Sequence, residues 1–225
     1  MKKIIKSRPD IDESKIKPFR KLENVISLSC VVGDAMERDN VMKHYIKSRA
    51  ADKKIVGPAI TVKISPGDLV DPLDIFEVAK PGDVIVVDAF GETETSIWGG
   101  LMSGLARNAG IVGAVIDGSC RDTDEAKMLG FPIYSKVVTP RASHTAYSKR
   151  REPIEVNTTI VCGGVVVNPG DLIVGDEIGV VVVPYEALEK VFPVAKEQAE
   201  KERKIRKDIL AGATMDDLLN KYGRI

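Results

Sequence analysis

The chain has 225 residues, of which 44% are hydrophobic, so it can bury a full core without disulfides. Its 33 lysines and arginines balance its 33 aspartates and glutamates, which argues against nucleic acid as a partner. The charged amino terminus lacks a signal-peptide core, and no apolar run approaches the roughly 18 residues of a membrane span. We therefore expect a cytoplasmic protein without a membrane partner. Its three widely spaced cysteines, Cys30, Cys120 and Cys162, are expected to be reduced and packed as small apolar groups.

Helical and strand patterns alternate along the chain. Apolar periodicity predicts the following elements in chain order: helices at 14–22 and 34–48, strands at 55–64 and 83–88, a helix after Gly99–Gly100, strands at 113–116, 132–138, 160–167, 171–176 and 180–183, a charged helix at 195–210 and a short helix capped by Thr214. The near-continuous apolar strands indicate an α/β fold whose sheet is covered on both faces. No linker or low-complexity segment divides the chain, so one domain over residues 1–225 is predicted.

Proline, glycine and aspartate recur together at 66–68, 81–83 and 169–171. Proline followed by glycine suits a type II turn, and the last two copies lead directly into apolar runs. The sequence therefore predicts two similar turns that each introduce a strand.

The segment from Val115 to Asp122 ends a β-branched run at Gly118 and then places Arg121 beside Asp122. Ligands of open α/β sheets collect where strands end, so this pair could hold an acidic substrate and a metal. Asp122 also fits the cap of a helix, with Glu125 at its third position. Both interpretations remain open, because a capping carboxylate keeps lone pairs that a cation can use.

The segment Gly99–Gly100–Leu101–Met102 begins a predicted helix. Free amides there could bind a carboxylate or phosphate, although glycines before a helix also serve simply to turn the chain. P-loop, Rossmann and serine hydrolase motifs are absent, and His44 and His144 are too few for a histidine-rich zinc site. A metal here would be Mg²⁺ or Mn²⁺ held by oxygen, for which Asp122 could suffice as the direct anchor.

The chain resembles the RraA-like family of aldolases and ribonuclease E regulators. The motifs that carry the resemblance lie at 80–88, 98–102, 115–122 and 168–176, within a core of about 25–184 that is followed by a helical extension of about 185–225. The resemblance implies a swivelling β/β/α-type single domain with mixed sheets and flanking helices, assembled as a homotrimer or homohexamer. It also implies a metal-dependent aldolase that cleaves 4-hydroxy-4-methyl-2-oxoglutarate, or a similar 4-hydroxy-2-oxo acid, to pyruvate, with oxaloacetate decarboxylase activity.

Carried over by position, the resemblance makes Asp122 the metal ligand and Arg121 the catalytic residue beside the substrate's keto oxygen. Gly99, Gly100 and the amides of Leu101 and Met102 would bind the substrate carboxylate. No side-chain base is evident, so a water is expected to take the proton from the 4-hydroxyl.

One departure from the family is Gly100, where aldolase members often carry an acid. The resemblance also implies a glutamate metal ligand from a neighbouring subunit's C-terminal helix, for which Glu202 is the best match, with Glu197 and Glu200 as alternatives. These two points leave the balance between aldol cleavage and decarboxylation open.

Two other functions are considered as alternatives. A non-catalytic regulator that binds ribonuclease E or another protein would need a surface instead of a metal, and the basic cluster Lys149–Arg150–Arg151 could serve it or be a solvated loop. A Schiff-base aldolase could use Lys63 or Lys136, but both lie where strand alternation predicts a surface-facing side chain.

Overall fold

The computed structural model describes residues 4–64, 72–142 and 154–223. The first Pro-Gly-Asp turn, His144 and the Lys149–Arg151 cluster lie outside these residues. The strands are β1 (Ile4–Ile5), β2 (Lys47–Ala50), β3 (Ile55–Lys63), β4 (Val84–Trp98), β5 (Gly113–Cys120), β6 (Ile133–Val138), β7 (Glu155–Val156), β8 (Ile160–Cys162), β9 (Val165–Val167), β10 (Leu172–Gly175) and β11 (Val180–Val183). The α-helices are α1 (Glu13–Arg20), α2 (Leu28–Ala35), α3 (Gly100–Asn108), α4 (Thr123–Leu129), α5 (Leu188–Leu210) and α6 (Met215–Tyr222).

The centre of the fold is a parallel sheet in the order β3-β4-β5-β6. Strand β2 extends it antiparallel beyond β6, and β3 pairs antiparallel with β10 through its first half and with β7 through its end. Strand β11 pairs antiparallel with β10. The predicted α/β domain with a mixed sheet and flanking helices is therefore confirmed.

Three apolar clusters fill the space around this sheet. Helices α3 and α4 pack on one face, where Met102, Ala106 and Ala126 are buried. The β8–β9 hairpin covers part of the opposite face. Helices α1, α2 and α5 pack against β10 and β11. Burial on both sides explains why the strands have near-continuous apolar sequences.

The two described Pro-Gly-Asp turns have the same geometry. Gly82 and Gly170 have φ angles of +91° and +92°, in the left-handed region that the third position of a type II turn requires. In each turn the aspartate carboxylate accepts a hydrogen bond of 2.8 Å from the amide three residues earlier, Lys80 or Asn168. The predicted turns before β4 and β10 are confirmed.

Two predicted elements are wrong. The helix predicted over 34–48 instead ends at Ala35, because Glu37, Arg38 and Asn40 adopt positive φ angles that no α-helix can contain. The predicted strand 160–167 is a hairpin, since Gly163 and Gly164 both adopt positive φ and reverse the chain between β8 and β9.

The end of the chain follows its sequence pattern. Helix α5 includes the predicted charged segment, and Thr214 and Asp217 form a capping box at the start of α6. In the described parts of the chain, no helix is both long and apolar enough to span a membrane.

The cysteines only partly match the expectation. Cys120 and Cys162 are buried and burial raises the pKa of both thiols, whereas Cys30 is exposed. All three are free thiols.

The single tryptophan fixes the beginning of α3. Trp98 is buried and stacks on Phe131, and its indole N–H donates a 3.0 Å hydrogen bond to Ser103 Oγ. The Ser103 hydroxyl in turn donates to the carbonyl oxygen of Gly99 at 3.0 Å. The indole therefore connects the end of β4 to the first turn of α3.

We expect Trp98→Ala to lower the free energy of unfolding by roughly 3–5 kcal/mol, because it leaves a large cavity and removes the buried hydrogen bond from the indole to Ser103. Trp98→Phe should cost less, because the ring stack survives. Urea denaturation followed by circular dichroism would measure both. The exposed Met128→Ala is the control, and we expect it to change stability by less than about 0.5 kcal/mol.

Candidate active site

The candidate site lies where β4 and β5 run into α3 and α4. The two strands are paired at Trp98 and Cys120, and the amide of Arg121 donates a 2.8 Å hydrogen bond to the carbonyl oxygen of Trp98. The first turn of α3 and the Arg121–Asp122 pair are therefore brought together at one edge of the parallel sheet. The carboxyl ends of parallel strands are the usual place for a ligand site in such folds.

Asp122 spans from one helix to the other. Its backbone has φ +52° and ψ +40°, a left-handed conformation that aspartate tolerates better than most residues, and its side chain makes no capping hydrogen bond to α4. Its Oδ2 instead accepts a 3.1 Å hydrogen bond from the amide of Gly100. Asp122 is the N-cap residue of α4, as one interpretation predicted, but its carboxylate makes no capping hydrogen bond there and binds the first amide of α3 instead.

Arg121 shares this carboxylate. Its Nε lies 3.3 Å from Asp122 Oδ2, and each side chain remains about 40% exposed, at 40% and 39%. A guanidinium and a carboxylate are thus held together while both stay accessible to a ligand. The predicted pairing of Arg121 and Asp122 at the strand end is present in the structure.

Gly99 makes this close approach possible. A Cβ atom at Gly99 would stand 2.7 Å from Asp122 Oδ2 and 3.2 Å from Arg121 Nε, so any side chain there would displace both groups. The φ angle of Gly99 is −141°, which every residue can adopt. Glycine is therefore required here for space, not for backbone conformation.

The N-cap residue of α3 is Gly99, which has no side chain that could cap the helix. The first amides of any helix lack intrahelical acceptors, and here Gly100 donates to Asp122 while the amides of Leu101 and Met102 remain for another acceptor. The Met102 side chain is buried and the Leu101 side chain is exposed. This arrangement suits an anionic group of a ligand.

Glu125 is a site residue that the sequence reasoning overlooked. A Cβ atom at Gly100 would lie only 1.8 Å from Glu125 Oε2, so the glutamate carboxylate occupies the place where another residue's side chain would be. The site therefore has two carboxylates, from Asp122 and Glu125, against consecutive glycines. The only available signal was the spacing of Glu125 after Asp122, which suggested a capping box instead.

Glu202 does not join this group within one chain. It accepts a 3.1 Å hydrogen bond from Gln198 and pairs with Arg206 on α5, and it lines a cleft with Asp34 and Arg38. Its role as a ligand from a neighbouring subunit stays a prediction, as do the alternatives Glu197 and Glu200.

The two candidate Schiff-base lysines lie elsewhere. The ammonium of Lys63 is 3.8 Å from a carboxylate oxygen of Glu155, and that of Lys136 donates a 3.3 Å hydrogen bond to the carbonyl oxygen of Gly91. Lys63 lines a cleft against the β8–β9 hairpin, on the sheet face opposite α3 and α4. His44 packs against Tyr45, at a ring-centroid distance of 5.9 Å.

Comparison with known proteins agrees with this architecture. A family model described as RraA-like, Aldolase/RraA, matches residues 29–182. A relative from Halalkalibacterium halodurans named "Putative 4-hydroxy-4-methyl-2-oxoglutarate aldolase" is 39% identical, over 83% of this chain and 88% of that protein. An uncharacterized protein of Methanocaldococcus jannaschii is also 39% identical, over 87% of this chain and 98% of its own length.

A solved structure has the same fold. RraAS2 of Streptomyces coelicolor, described as an unusual member of the RNase ES inhibitor RraA protein family, superposes with a TM-score of 0.74 at 26% identity, covering 88% of this chain and 100% of that one. Because the family model covers more than half of the sequence and two relatives align over most of it, the chain belongs to the RraA-like family.

Proposed function

We propose that the chain is a divalent-metal-dependent aldolase that cleaves a 4-hydroxy-2-oxo acid such as 4-hydroxy-4-methyl-2-oxoglutarate to pyruvate, and that it also decarboxylates oxaloacetate. The observation that carries the proposal is the convergence of Asp122 and Arg121 on the amino terminus of α3. The name of the Halalkalibacterium halodurans relative supports the same reaction class.

The donor set fits a hard divalent ion. Residues 4–64, 72–142 and 154–223 contain no group of three or more histidine, cysteine, aspartate or glutamate side chains that could hold a metal. The ion must therefore be one that needs fewer ligands from a single chain. Mg²⁺ and Mn²⁺ need only one or two protein carboxylates and complete their coordination with water and substrate oxygens. Asp122 is accessible enough to be that anchor, and a cation bound there would supply a Lewis acid.

The chain's own groups have complementary tasks in this proposal. The free amides of α3 bind the substrate carboxylate, and the Arg121 guanidinium faces the 2-keto oxygen. Both reactions leave an electron pair on a pyruvate enolate, so a fixed positive charge beside that oxygen stabilises the same species in each. One site can therefore catalyse both reactions.

Arg121→Ala is expected to lower kcat/KM roughly 10²- to 10³-fold for both substrates, as the removal of a preorganised oxyanion donor typically does. Steady-state kinetics would measure the loss. Arg107→Ala is the control, because this exposed arginine lies in the last turn of α3, at the opposite end of that helix from the proposed site. Full turnover by Arg121→Ala would contradict the assigned role.

The test of the function is pyruvate release from 4-hydroxy-4-methyl-2-oxoglutarate and from oxaloacetate. Each assay is run with Mg²⁺, with Mn²⁺ and with a chelator, and metal-catalysed decarboxylation without protein is subtracted. Release that requires both protein and metal would support the proposal. No release above the metal blank by a correctly folded protein would favour the non-catalytic regulator that binds a protein partner.

We further propose that the enzyme acts in the cytoplasm as a homotrimer or homohexamer in which Glu202 reaches the site of a neighbouring subunit. The basis is the family resemblance together with the mostly polar surface of α5. Sedimentation would give the number of subunits. Complementation between Asp122→Asn and Glu202→Gln chains in mixed oligomers would show whether the site is shared.

A further inference from the structure

We infer that Glu125 is the general base that removes the proton of the substrate's 4-hydroxyl group. This inference rests on the proposed function, and it gives a side chain of the protein the role that the sequence had left to a water molecule. It starts from the position of the carboxylate, whose Oε2 lies 1.8 Å from the place of a Cβ atom on Gly100. The glutamate therefore lies directly on the first turn of α3, where the substrate is proposed to bind.

The two carboxylates of the site differ in what already binds them. Asp122 Oδ2 accepts the amide of Gly100 and lies beside the Arg121 guanidinium. Among the described residues, the Glu125 carboxylate has neither a hydrogen-bond donor nor a salt-bridge partner. A partly exposed carboxylate that is held in place but unpaired can accept a proton, whereas Asp122 is already engaged.

The rigidity of this position comes from helix packing. Helices α3 and α4 pack on the same face of the sheet, and Ala106 and Ala126 are buried between the two helices and that sheet. Glu125 lies in the first turn of α4, three residues after the N-cap residue Asp122. The helix therefore fixes the position of its backbone relative to the proposed metal anchor. Gly100 provides the space, because any larger residue would force the glutamate away from α3.

The proposed step is balanced within the substrate and Glu125. The 4-hydroxyl O–H bond breaks and its proton passes to the Glu125 carboxylate, while the oxygen's electron pair forms the new carbonyl group at C4. The C3–C4 bond breaks, and its electron pair forms the enolate between C3 and C2. The enolate then takes a proton at C3 from water and becomes pyruvate, and Glu125 returns its proton to the solvent, so the carboxylate is regenerated and the reaction has no net proton uptake.

Decarboxylation of oxaloacetate does not need this base. Its C3–C4 bond breaks with loss of CO₂ from a carboxylate that is already ionised, so no hydroxyl proton has to leave. Glu125 is therefore expected to matter for one reaction and not for the carbon–carbon cleavage step of the other. Arg121 and Asp122, which act on the common enolate, are expected to matter for both.

The experiment compares Glu125→Gln and the exposed neighbour Asp124→Asn with the wild-type protein, each assayed with Mg²⁺. Retro-aldol cleavage is followed as pyruvate formed from 4-hydroxy-4-methyl-2-oxoglutarate, and decarboxylation as CO₂ released from oxaloacetate. We expect Glu125→Gln to lose about 10²- to 10³-fold in retro-aldol kcat and to change CO₂ release less than about twofold. Asp124→Asn should change neither.

Binding provides a second readout that does not depend on turnover. Oxalate resembles the planar pyruvate enolate, and calorimetry should show that Glu125→Gln binds it as tightly as the wild-type protein. Equal loss of both reactions, or weakened oxalate binding, would overturn the base and make Glu125 a metal or positioning group. Retention of both reactions would also overturn it. A wild-type protein inactive on both substrates would instead overturn the proposed function, and the base with it.

Discussion

Asp122→Asn is expected to reduce both retro-aldol cleavage and oxaloacetate decarboxylation by at least about 10³-fold. The proposed Lewis acid supplies several kcal/mol of charge stabilisation, and a neutral amide cannot anchor it. Asparagine also tolerates the left-handed backbone at φ +52° and keeps an oxygen that can accept the amide of Gly100. The substitution therefore removes the charge while the connection between α3 and α4 survives. Steady-state rates with both substrates would measure the loss.

Asp124→Asn is the matched control for this substitution. Asp124 lies two residues further along, in the first turn of α4, and its side chain is exposed. We expect it to retain full activity and the same melting temperature. An Asp122→Asn protein that keeps more than about a tenth of the wild-type rate would show that Asp122 is not the metal anchor.

Gly99→Ala is expected to lower kcat/KM roughly 10²-fold without unfolding the protein. The added methyl group would stand 2.7 Å from Asp122 Oδ2 and 3.2 Å from Arg121 Nε, so both groups must move. Displacements of about an ångström in a catalytic site can cost this much, because the reacting groups lose their alignment. Kinetics combined with thermal unfolding would separate the loss of activity from any loss of stability.

Gly104→Ala provides the comparison within the same helix. A Cβ atom at Gly104 would meet its nearest neighbour, Leu129 Cδ1, at an ordinary 3.8 Å. We expect normal activity and a gain of roughly 0.5–1 kcal/mol in the free energy of unfolding, because alanine is a better helix former than glycine. If Gly99→Ala were as active as Gly104→Ala, the close approach at Gly99 would have no functional meaning.

Much of the site could be predicted because it depends on local sequence. The β-branched run at 113–116 predicted a strand that ends at Gly118, and β5 extends slightly further, to Cys120. Arg121 and Asp122 were therefore located correctly without knowledge of the fold. The same holds for the turns before β4 and β10, whose Pro-Gly-Asp sequences specify a type II geometry by themselves.

Other features depend on contacts between distant segments. Glu125 becomes a site residue only because α3 and α4 pack side by side, which no spacing in the sequence reveals. The partner of the Asp122 carboxylate could not be predicted for the same reason, since its Oδ2 accepts the amide of Gly100, 22 positions away in the chain.

The error over residues 34–48 had a different cause. The apolar residues of α2, such as Val31 and Val32, pack against the cluster of β10, β11 and α5, so the helix lies earlier in the chain than predicted. Residues after Ala35 take left-handed turns that allow the chain to reach β2. Helical propensity alone does not predict such turns, because tertiary contacts override it.

The most direct test of the enolate-forming site is hydrogen exchange of pyruvate itself. In D₂O with Mg²⁺, the wild-type protein is expected to replace the methyl protons of pyruvate with deuterium faster than Mg²⁺ alone, as followed by proton NMR. Asp122→Asn should reduce the exchange to the rate with Mg²⁺ alone, and Asp124→Asn should not. If the folded wild-type protein exchanges these protons no faster than the metal alone, the site between α3 and α4 does not form the pyruvate enolate.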